Sequence, residues 1–346
     1  MRWHFYYAKR NAFYPPDYEH PGLGGCESAL VLVTRTLAQR GHDVVVYNCC
    51  YRPGVYDGVT WRMAWEVETA PAPDVAVSVR FSESLWPETT DARQHLFWML
   101  DDRIEGAAAF SRRFGARGGK IVLASHAMRD ILAGMGLGTP TTLIPLPVEV
   151  DRYGPAERKR ACLFSSMPNR GLDVALTIWP AIHAAVPEAE LWITSGWQLW
   201  GYTDSEANDR WKQFFGHLSL PAGVRRFGVL SRSALVELQQ SAWLTLYPSR
   251  FPEMFCLVAA ESAAAGTPVV TSASYALTER VVNNRTGILI DGSIEEASTQ
   301  DRFVEATAAL LIDRARRDRY GRAAATQARG AYAPEVVAEA WEQLLD

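Results

Sequence analysis

The strongest constraint on the fold is an alternation of short apolar runs with segments of helical period, which occurs twice along the 346 residues. In the first half, WHFYYA and DVVVYN have the length of buried strands, and ESALVLVTRTLAQRG lies between them with an amphipathic helical pattern. The second half restarts with the strand-like ACLFSS and the helical LDVALTIWPAIHAAVP. Strands that alternate with helices predict parallel, doubly wound sheets. The sequence therefore predicts two α/β domains of Rossmann-like type.

A single segment, TTLIPLPVEVDRYGPAERKR, separates the two halves, because its prolines and clustered charges interrupt the pattern. We predict an N-terminal domain over residues 1–148, a C-terminal domain over 149–332, and a final amphipathic helix over 333–346. Ligands of such sheets bind at the carboxyl ends of the strands, and two facing domains form a cleft.

Composition excludes several classes of protein. The formal net charge of −4 gives no global basic field for nucleic acid or an anionic membrane. No apolar run reaches the length of about 18 residues that a membrane span needs, and the first residues lack the apolar core of a signal peptide. The five cysteines and seven histidines show no metal-ligand spacing. We expect reduced thiols, no metal and a cytoplasmic location.

One short basic stretch leaves room for peripheral contact with a membrane. Arg112, Arg113, Arg117 and Lys120 lie close together in the first half of the chain. Such a cluster attracts an anionic lipid surface, and a solvated basic helix end is the alternative reading.

Two carboxylates bracket an apolar segment in YPSRFPEMFCLVAAESAAAGTPVV: Glu253 and Glu261. We expect a helix that starts at Glu253 and closes at Gly266. The helix dipole favours a carboxylate at the N-terminus, but this does not account for Glu261 inside the helix. Eight residues of helix separate the two groups by about 12 Å, which is about the span from the hexose to the ribose of a nucleotide sugar. Carboxylates accept hydrogen bonds from hydroxyl pairs, and helix N-terminal amides favour phosphate.

This segment resembles the E-x7-E signature of retaining glycosyltransferases of family 4, which have the GT-B fold. The matching positions are Pro248, Ser249, Glu253, Phe255, Glu261, Ala263, Gly266, Pro268, Val269 and Val270. Cys256 stands where the family often has glycine, and Ser262 where it often has alanine. The resemblance implies that Glu253 contacts the donor hexose, that Glu261 contacts the ribose, and that Met254, Phe255 and Cys256 lie beside the donor. A capped helix that tolerates both charges is the alternative.

A second motif, LFSSMPNRGL, resembles the strand–loop–helix that opens the C-terminal domain of the family. The family commonly places an arginine and a lysine there, five residues apart, to hold the donor diphosphate. Arg170 occupies the lysine position and Ser165 the arginine position, as in a branch with an S-S-x-P-x-R-G-L loop. Arginine binds phosphate in bidentate fashion, and Ser165 or Ser166 would add a hydrogen bond. A solvated loop arginine is the alternative.

Three weaker motifs complete the expected donor site. The PGLGGCES segment resembles the GG-x-E loop of the family, in which the backbone of Gly24 and Gly25 approaches the donor phosphate. Plain turn glycines are the alternative reading. Gly196 is expected beside the nucleotide. Leu230 and Ser231 are expected to cup the base, although Ser231 is equally suited to cap a helix.

The segment HLFWMLDDRI resembles a family strand that ends in a histidine–aspartate pair. Asp101 is expected to orient the acceptor hydroxyl, whereas Leu100 replaces the histidine. The adjacent Asp101 and Asp102 lack the spacing of a D-x-D metal site, and GT-B enzymes do not need a metal ion to bind the diphosphate.

The resemblance as a whole implies a retaining glycosyltransferase of the GT-B fold without metal or cofactor. It also implies that the last helix, over residues 333–346, crosses back to the N-terminal domain. It would move a hexosyl group from a nucleotide diphosphate sugar, UDP-sugar by default, to a hydroxyl of a carbohydrate, lipid-linked or small-molecule acceptor. Glu253, Arg170 and Asp101 would carry the reaction, and Arg170 would neutralise the leaving diphosphate.

Three other functions are alternatives to a glycosyltransferase. A sugar-nucleotide-binding protein without transferase activity stays open because of Leu100 and Ser165. Another GT-B enzyme, such as a sugar-nucleotide epimerase, is a second alternative. A nicotinamide oxidoreductase is disfavoured, because Glu27 stands at the third glycine position of the dinucleotide fingerprint.

Overall fold

A computed structural model describes residues 1–7, 12–21, 23–81, 91–216 and 220–345 of the chain. The chain forms two compact units. Unit 1 comprises Met1–Tyr18, Gly25–Pro147 and Pro334–Asp346, and unit 2 comprises Glu19–Gly24 and Val148–Ala333. The sequence predicts domain limits at 148 and 332, with a first domain that is continuous along the chain. In the structure, residues 19–24 instead group with unit 2, and one consequence is that Gly24 and Gly25 fall in different units.

Within the described residues, unit 1 contains a seven-stranded parallel sheet in the order β3-β2-β1-β4-β5-β6-β7. Its strands are β1 Arg2–Tyr7, β2 Asp43–Tyr56, β3 Val59–Met63, β4 Val75–Val79, β5 Gln94–Trp98, β6 Lys120–Leu123 and β7 Thr141–Leu143. The helices between these strands are α1 Gly25–Gln39, α2 Ala107–Gly115 and α3 His126–Gly134. This order is that of a doubly wound sheet, in which the strand order reverses at the switch point between β1 and β4.

Unit 2 repeats the plan with a six-stranded parallel sheet, in the order β10-β9-β8-β11-β12-β13 among its described residues. Its strands are β8 Lys159–Phe164, β9 Glu190–Ile193, β10 Val224–Arg226, β11 Ala242–Tyr247, β12 Val269–Ser272 and β13 Gly287–Ile290. Its helices are α4 Leu172–Ala185, α5 Asp204–Phe215, α6 Arg232–Ser241, α7 Leu257–Ala264, α8 Leu277–Arg280, α9 Ala297–Ile312 and α10 Arg314–Tyr332. The switch point of this sheet lies between β8 and β11.

The last helix, α11 Pro334–Glu342, packs into the core of unit 1. Trp341 is fully buried and meets three aromatic rings edge-on: Trp98 at 5.0 Å, Phe5 at 6.0 Å and Trp3 at 6.3 Å between centroids. The amphipathic pattern of this segment, with apolar residues on one face, is what such packing requires. The end of the chain therefore supplies part of the first unit's core.

Two further observations concern membrane-spanning helices and the state of the cysteines. No described helix has both the length and the apolar content that a membrane crossing requires. All five cysteines are free thiols.

Candidate functional site

The polar residues expected at the donor site gather at the carboxyl edge of the unit 2 sheet, beside its switch point. The chain leaves β8 after Phe164 and leaves β11 after Tyr247, and these two strands are neighbours. The loops that follow them meet at Gly171, which has φ +111°. A side-chain carbon on Gly171 would collide with the carbonyl of Pro248. Only glycine satisfies both the positive φ and this close approach.

Arg170 and Glu253 form the centre of this site. Arg170 Nη1 donates a hydrogen bond of 2.8 Å to Glu253 Oε1, and the hydroxyl of Tyr247 donates one of 2.5 Å to the same oxygen. Glu253 is 4% exposed. Among the described residues, none donates a hydrogen bond to Glu253 Oε2. The guanidinium of Arg170 also stacks on Phe251, 4.1 Å from the ring centre.

The two side chains that donate to Glu253 both have raised pKa values. Burial acts to lower the pKa of Arg170, but the charge of Glu253 and its hydrogen bond outweigh this and raise it. Burial, and then the charge of Glu253, raises the pKa of the Tyr247 hydroxyl well above its usual value, so Tyr247 remains a hydrogen-bond donor. Glu253 is therefore held by two groups that keep their protons, the cationic Arg170 and the neutral Tyr247.

One expectation about this segment is wrong: α7 does not start at Glu253. It starts at Leu257, after a non-helical loop in which Glu253 lies four residues before the helix. Cys256 at the N-cap has φ +67°, in the left-handed region, and a helix cannot continue through that conformation. The carbonyl of Glu253 instead accepts a hydrogen bond from the amide of Ala276. The spacing of an uninterrupted helix therefore does not apply to the two carboxylates.

The left-handed Cys256 gives a physical reason for the glycine that the resembled pattern often carries at this position. Glycine adopts positive φ without penalty, whereas a residue with a side chain is strained there. Cys256 is nevertheless buried, and burial followed by the charge of Glu253 raises the pKa of its thiol well above the usual value. The thiol is thus protonated and belongs to the packing of the loop.

The second carboxylate, Glu261, is held from α6. Arg232 Nη1 donates to Glu261 Oε1 at 2.6 Å, and Gln239 Nε2 donates to Oε2 at 2.8 Å. The two donors are seven residues apart, which places them on one face of α6. Glu261 is 8% exposed within α7. Sequence reasoning missed both partners.

The residues expected around the base and nucleotide occupy loops that start α6 and follow β9. The Ser231 hydroxyl accepts from the amide of Ala234 at 3.3 Å, so it caps α6, which is the alternative weighed for it. Leu230 precedes this cap and is partly buried. Gly196 follows β9 in an extended conformation, and a side-chain carbon there would collide with Val229.

The loop after β8 holds three buried polar atoms that have no hydrogen-bond partner within the described part of the chain: Ser165 Oγ, Asn169 Oδ1 and Arg170 Nε. By contrast, Ser166 lies 3.2 Å from the Tyr247 hydroxyl, and its carbonyl accepts from Ser195. Buried polar atoms are ordinarily hydrogen-bonded, so this loop has spare capacity for a polar ligand.

Met254 and Phe255 are buried as well. Phe255 is 4% exposed and packs edge-on against Tyr332 at 5.5 Å, with the guanidinium of Arg280 4.5 Å from its ring centre. Their side chains therefore anchor the loop that carries Glu253.

A second polar cluster lies at the carboxyl edge of the unit 1 sheet, again at the switch point. Arg80 follows β4 with φ +70° and forms a bidentate pair with Asp101, at 2.9 and 3.3 Å. Its Nη1 also donates to the Tyr7 hydroxyl at 3.1 Å and to Glu27 at 3.2 Å. Asp101, expected to meet an acceptor, is thus held in place by Arg80.

Glu27 is the buried member of that cluster. It is 3% exposed in the first turn of α1 and accepts from the Tyr7 hydroxyl at 2.5 Å. The helix begins at Gly25, two residues earlier than the sequence suggests, so Gly25 is the first helical residue and only Gly24 lies in the loop. Leu100 is buried beside Asp101 in sequence. Sequence reasoning missed Arg80, Tyr7 and Glu27, although tyrosine and arginine directly at strand ends were a usable signal.

Comparison with known proteins adds three findings. Residues 157–327 match the model of the family "Glycosyl transferases group 1". The GDP-mannose-dependent alpha-(1-6)-phosphatidylinositol monomannoside mannosyltransferase of Mycobacterium tuberculosis is 28% identical over 209 residues, covering 56% of this chain and 52% of the relative. The D-inositol 3-phosphate glycosyltransferase of Kribbella flavida is 37% identical over 116 residues, covering 31% of this chain and 26% of the relative. The chain thus matches about half the length of the first of these relatives, and less of the second.

Solved structures resemble the chain over its whole length. Anabaena HepE in complex with UDP-glucose superposes with a TM-score of 0.74 at 15% identity, over 100% of this chain and 99% of the other. WaaG, a glycosyltransferase involved in lipopolysaccharide biosynthesis, superposes with a TM-score of 0.70 at 16% identity, over 98% and 99%. These similarities confirm the expected GT-B fold.

Proposed function

We propose that this chain is a glycosyltransferase that moves a sugar from a nucleotide diphosphate sugar to an acceptor hydroxyl. The observation that carries the proposal is the pair of buried carboxylates, Glu253 and Glu261, that follow one strand and are each held by an arginine from another element. Carboxylates fixed in this way are preorganised acceptors for the hydroxyl groups of a sugar and a ribose. The family match over residues 157–327 supports the same reading.

Arg170 is assigned to the donor diphosphate. Its Nη1 is committed to Glu253, whereas its Nε is buried and without a partner among the described residues. Ser165 Oγ and Asn169 Oδ1 are in the same state on the same loop. A phosphate oxygen would accept from Arg170 Nε and Ser165 Oγ, and the cation would stabilise the charge that develops as the diphosphate leaves.

Glu253 is assigned to the hexose and Glu261 to the ribose. Glu253 has one oxygen, Oε2, that accepts nothing from the described residues, so it is ready for a sugar hydroxyl. Both oxygens of Glu261 already accept one hydrogen bond. Each carboxylate oxygen accepts two, so Glu261 retains capacity for a ribose hydroxyl.

We further propose a retaining course without metal. The acceptor hydroxyl attacks the anomeric carbon on the face from which the diphosphate leaves. The new carbon–oxygen bond forms as the bond to phosphate breaks, and the departing phosphate oxygen takes the acceptor proton. Arg170 supplies the positive charge that a metal ion would otherwise provide. Asp101, fixed by Arg80, is the proposed contact of the acceptor.

The nucleoside base of the donor distinguishes two candidates, UDP-sugar and GDP-sugar. UDP-sugar is the default of the resembled family, while the mycobacterial relative is named for GDP-mannose and the HepE structure contains UDP-glucose. The experiment is a thermal-shift panel with UDP, GDP and their glucose and mannose conjugates. A ligand at one hundred times its dissociation constant stabilises the folded state by about 2.7 kcal/mol.

The expected result is stabilisation by one nucleoside diphosphate and its sugar, reduced in Arg170→Gln. The carboxylate assignment needs turnover as well, measured as release of the nucleoside diphosphate. Stabilisation without release or transfer to any acceptor would favour the non-catalytic binding protein. No stabilisation by any member of the panel would contradict the proposal.

A further inference from the structure

Unit 2 contains a second concave site that the proposed function does not use. It is an open cavity of about 610 Å³ lined by the face of α10 and by the ends of α7 and of two strands. Five arginines line it, against one aspartate: Arg158, Arg314, Arg317, Arg322, Arg329 and Asp318. Four positive charges are therefore in excess. We call this cavity the arginine pocket.

The arginine pocket lies at the amino edge of the unit 2 sheet. Arg158 directly precedes β8, Trp243 is the second residue of β11, and Gly266 lies just before β12. Arg170 and Glu253 follow the carboxyl ends of β8 and β11. Since the strands are parallel and β8 has six residues, the length of a strand, about 20 Å, separates the two edges. The pocket is thus a separate site.

Two of its arginines, the buried Arg317 and the half-buried Arg158, lack close carboxylate partners. Arg317 is 4% exposed, lies 3.8 Å above the Trp243 ring and has Asp318 only at 3.6 Å. Arg158 donates to the carbonyl of Ala242 and to the hydroxyl of Thr267, each at 3.0 Å, and to the carbonyl of Ala265. Burial lowers the pKa of both arginines. Buried cations with mainly neutral partners gain stability from a nearby anion.

Two of the three outer arginines have no side-chain partner among the described residues. Arg322 and Arg329 are exposed on α10, and their guanidinium groups make no hydrogen bond or ion pair with the rest of the described chain. Arg314 has only a long contact of 3.4 Å to Asp318. Arg314, Asp318 and Arg322 recur every four residues, which directs them to one face of the helix. The planar guanidinium groups of these arginines suit phosphate oxygens.

We infer that the arginine pocket binds a small anion that carries two or more phosphate groups. The volume falls within the range of about 300 to 1,000 Å³ that small-molecule sites occupy. Two free guanidinium groups at the rim would bind phosphate in bidentate fashion, and the inner arginines would add positive charge. Paired phosphate groups occur on soluble phosphorylated metabolites and on the headgroups of some phospholipids, and the two sources share this chemistry.

Titration calorimetry with inorganic tripolyphosphate tests the inference. Arg322→Ala is expected to weaken binding about tenfold, because it removes a charge-assisted contact. Arg319→Ala is the matched control, since Arg319 is an exposed arginine of the same helix that does not line the cavity. It should change affinity by less than about threefold. Asp318→Asn should tighten binding, because it removes the one carboxylate that competes for Arg314 and Arg317.

Two further arms identify the source of the anion and separate this site from the donor site. Arg170→Gln should retain tripolyphosphate binding, so a failed donor assignment would leave this inference standing. Co-sedimentation with vesicles of phosphatidylcholine and cardiolipin in equal parts tests a lipid source, because the cardiolipin headgroup carries two phosphates. Binding in either arm that falls in Arg322→Ala but not in Arg319→Ala supports the pocket. Absence of saturable binding in both arms, or equal loss in the two variants, would overturn it.

Discussion

At the scale of single residues, the most informative finding is that the two signature carboxylates already have partners inside the protein. Glu253 accepts from Arg170 and Tyr247, and Glu261 accepts from Arg232 and Gln239. A carboxylate held by a cation keeps its position, and each of the two can still accept a hydrogen bond from a ligand. The same arrangement makes each partner important for folding, because its loss leaves a buried charge uncompensated.

Arg170→Gln should therefore destabilise the chain by about 2 to 3 kcal/mol, since Glu253 is buried and would lose its cation. Arg250→Gln in the following loop is the control, because Arg250 pairs with Asp173 and Glu295 at the surface. Its cost should stay below about 1 kcal/mol. Urea unfolding measures both, and equal costs would show that the Arg170–Glu253 pair is no stronger than a surface pair.

Cys256 offers a test of backbone strain. At a φ of +67°, alanine is strained and glycine is not, whereas at Cys162 within β8 glycine carries the usual entropic penalty. The Gly-minus-Ala stability difference should therefore be more favourable at position 256 than at position 162 by about 1 to 2 kcal/mol. Thermal or urea unfolding of the four variants measures this, and the same difference at both positions would refute a strained Cys256.

The sequence could predict Glu253, Glu261 and Arg170 because each sits in a local motif directly after a recognisable strand. It could not predict Arg232 and Gln239 as the partners of Glu261, or Arg80 as the partner of Asp101, because these pairs join residues 29, 22 and 21 positions apart. Such contacts depend on how elements pack in three dimensions. Local spacing carries no signal for them.

At the scale of elements, strand–helix alternation was readable and boundaries were not. The predicted helix over residues 253–266 fails in its first turn, because the left-handed Cys256 postpones the helix to Leu257. The strands β3 and β7 and the helix α2 are short, and the sequence pattern did not mark them. Short elements with few apolar positions depend on tertiary contacts, which periodicity cannot reveal.

Gly171 joins two elements of the site, and Gly171→Ala tests that junction. The substitution imposes strain at a φ of +111° and drives a side-chain carbon against the carbonyl of Pro248. At Gly228, which has φ +71°, nothing lies near such a carbon, so Gly228→Ala reports the backbone strain alone. Gly171→Ala should cost about 1 to 2 kcal/mol more. Equal unfolding free energies would contradict the close approach of the two loops.

The docking of α11 on unit 1 should depend on pH. Arg40 Nη2 lies 2.6 Å from Glu342, and His42 lies 2.8 Å from it. The hydrogen bond from Arg40, with that from His42, outweighs burial and lowers the pKa of Glu342 to about 2. Because this pKa is depressed in the folded state, the contribution to stability is complete above the ordinary value near 4.5 and is lost as pH falls toward 2.

The measurement is the unfolding free energy of the wild-type chain minus that of Glu342→Gln, followed between about pH 6 and pH 2. The advantage of the wild type should shrink as pH falls from about 4.5 toward 2, where Glu342 becomes protonated in the folded state. An advantage that stays constant down to pH 2 would exclude the ionised Glu342 as the source.

At the scale of the whole molecule, a doubly wound sheet topology occurs twice, and each unit has a cluster of charged side chains at its switch point. In unit 2 these are Arg170 and Glu253, and in unit 1 they are Arg80, Asp101 and Glu27. A doubly wound sheet opens a crevice where the strand order reverses, so both clusters lie where ligands of such folds bind. The architecture was predictable because two rounds of alternation span nearly the whole chain.

The path of the chain at its ends was less accessible to sequence reasoning in detail. Trp341 fills the core of unit 1 against Trp3, Phe5 and Trp98, which come from strands hundreds of residues earlier. The segment 19–24 groups with unit 2 although it lies between two elements of unit 1. Amphipathicity predicts only that α11 packs on another element, and the expectation that it returns to the first domain comes from the family resemblance.

The central claim is that Glu253 acts on the donor sugar, and steady-state release of nucleoside diphosphate from the stabilising nucleotide sugar tests it most directly. Glu253→Gln should lower kcat at least about 100-fold while binding of the nucleoside diphosphate alone stays within about threefold, because the diphosphate contacts come from the loop of Arg170. Glu237→Gln, an exposed carboxylate of α6, should behave as wild type. Unchanged turnover in Glu253→Gln would contradict the account.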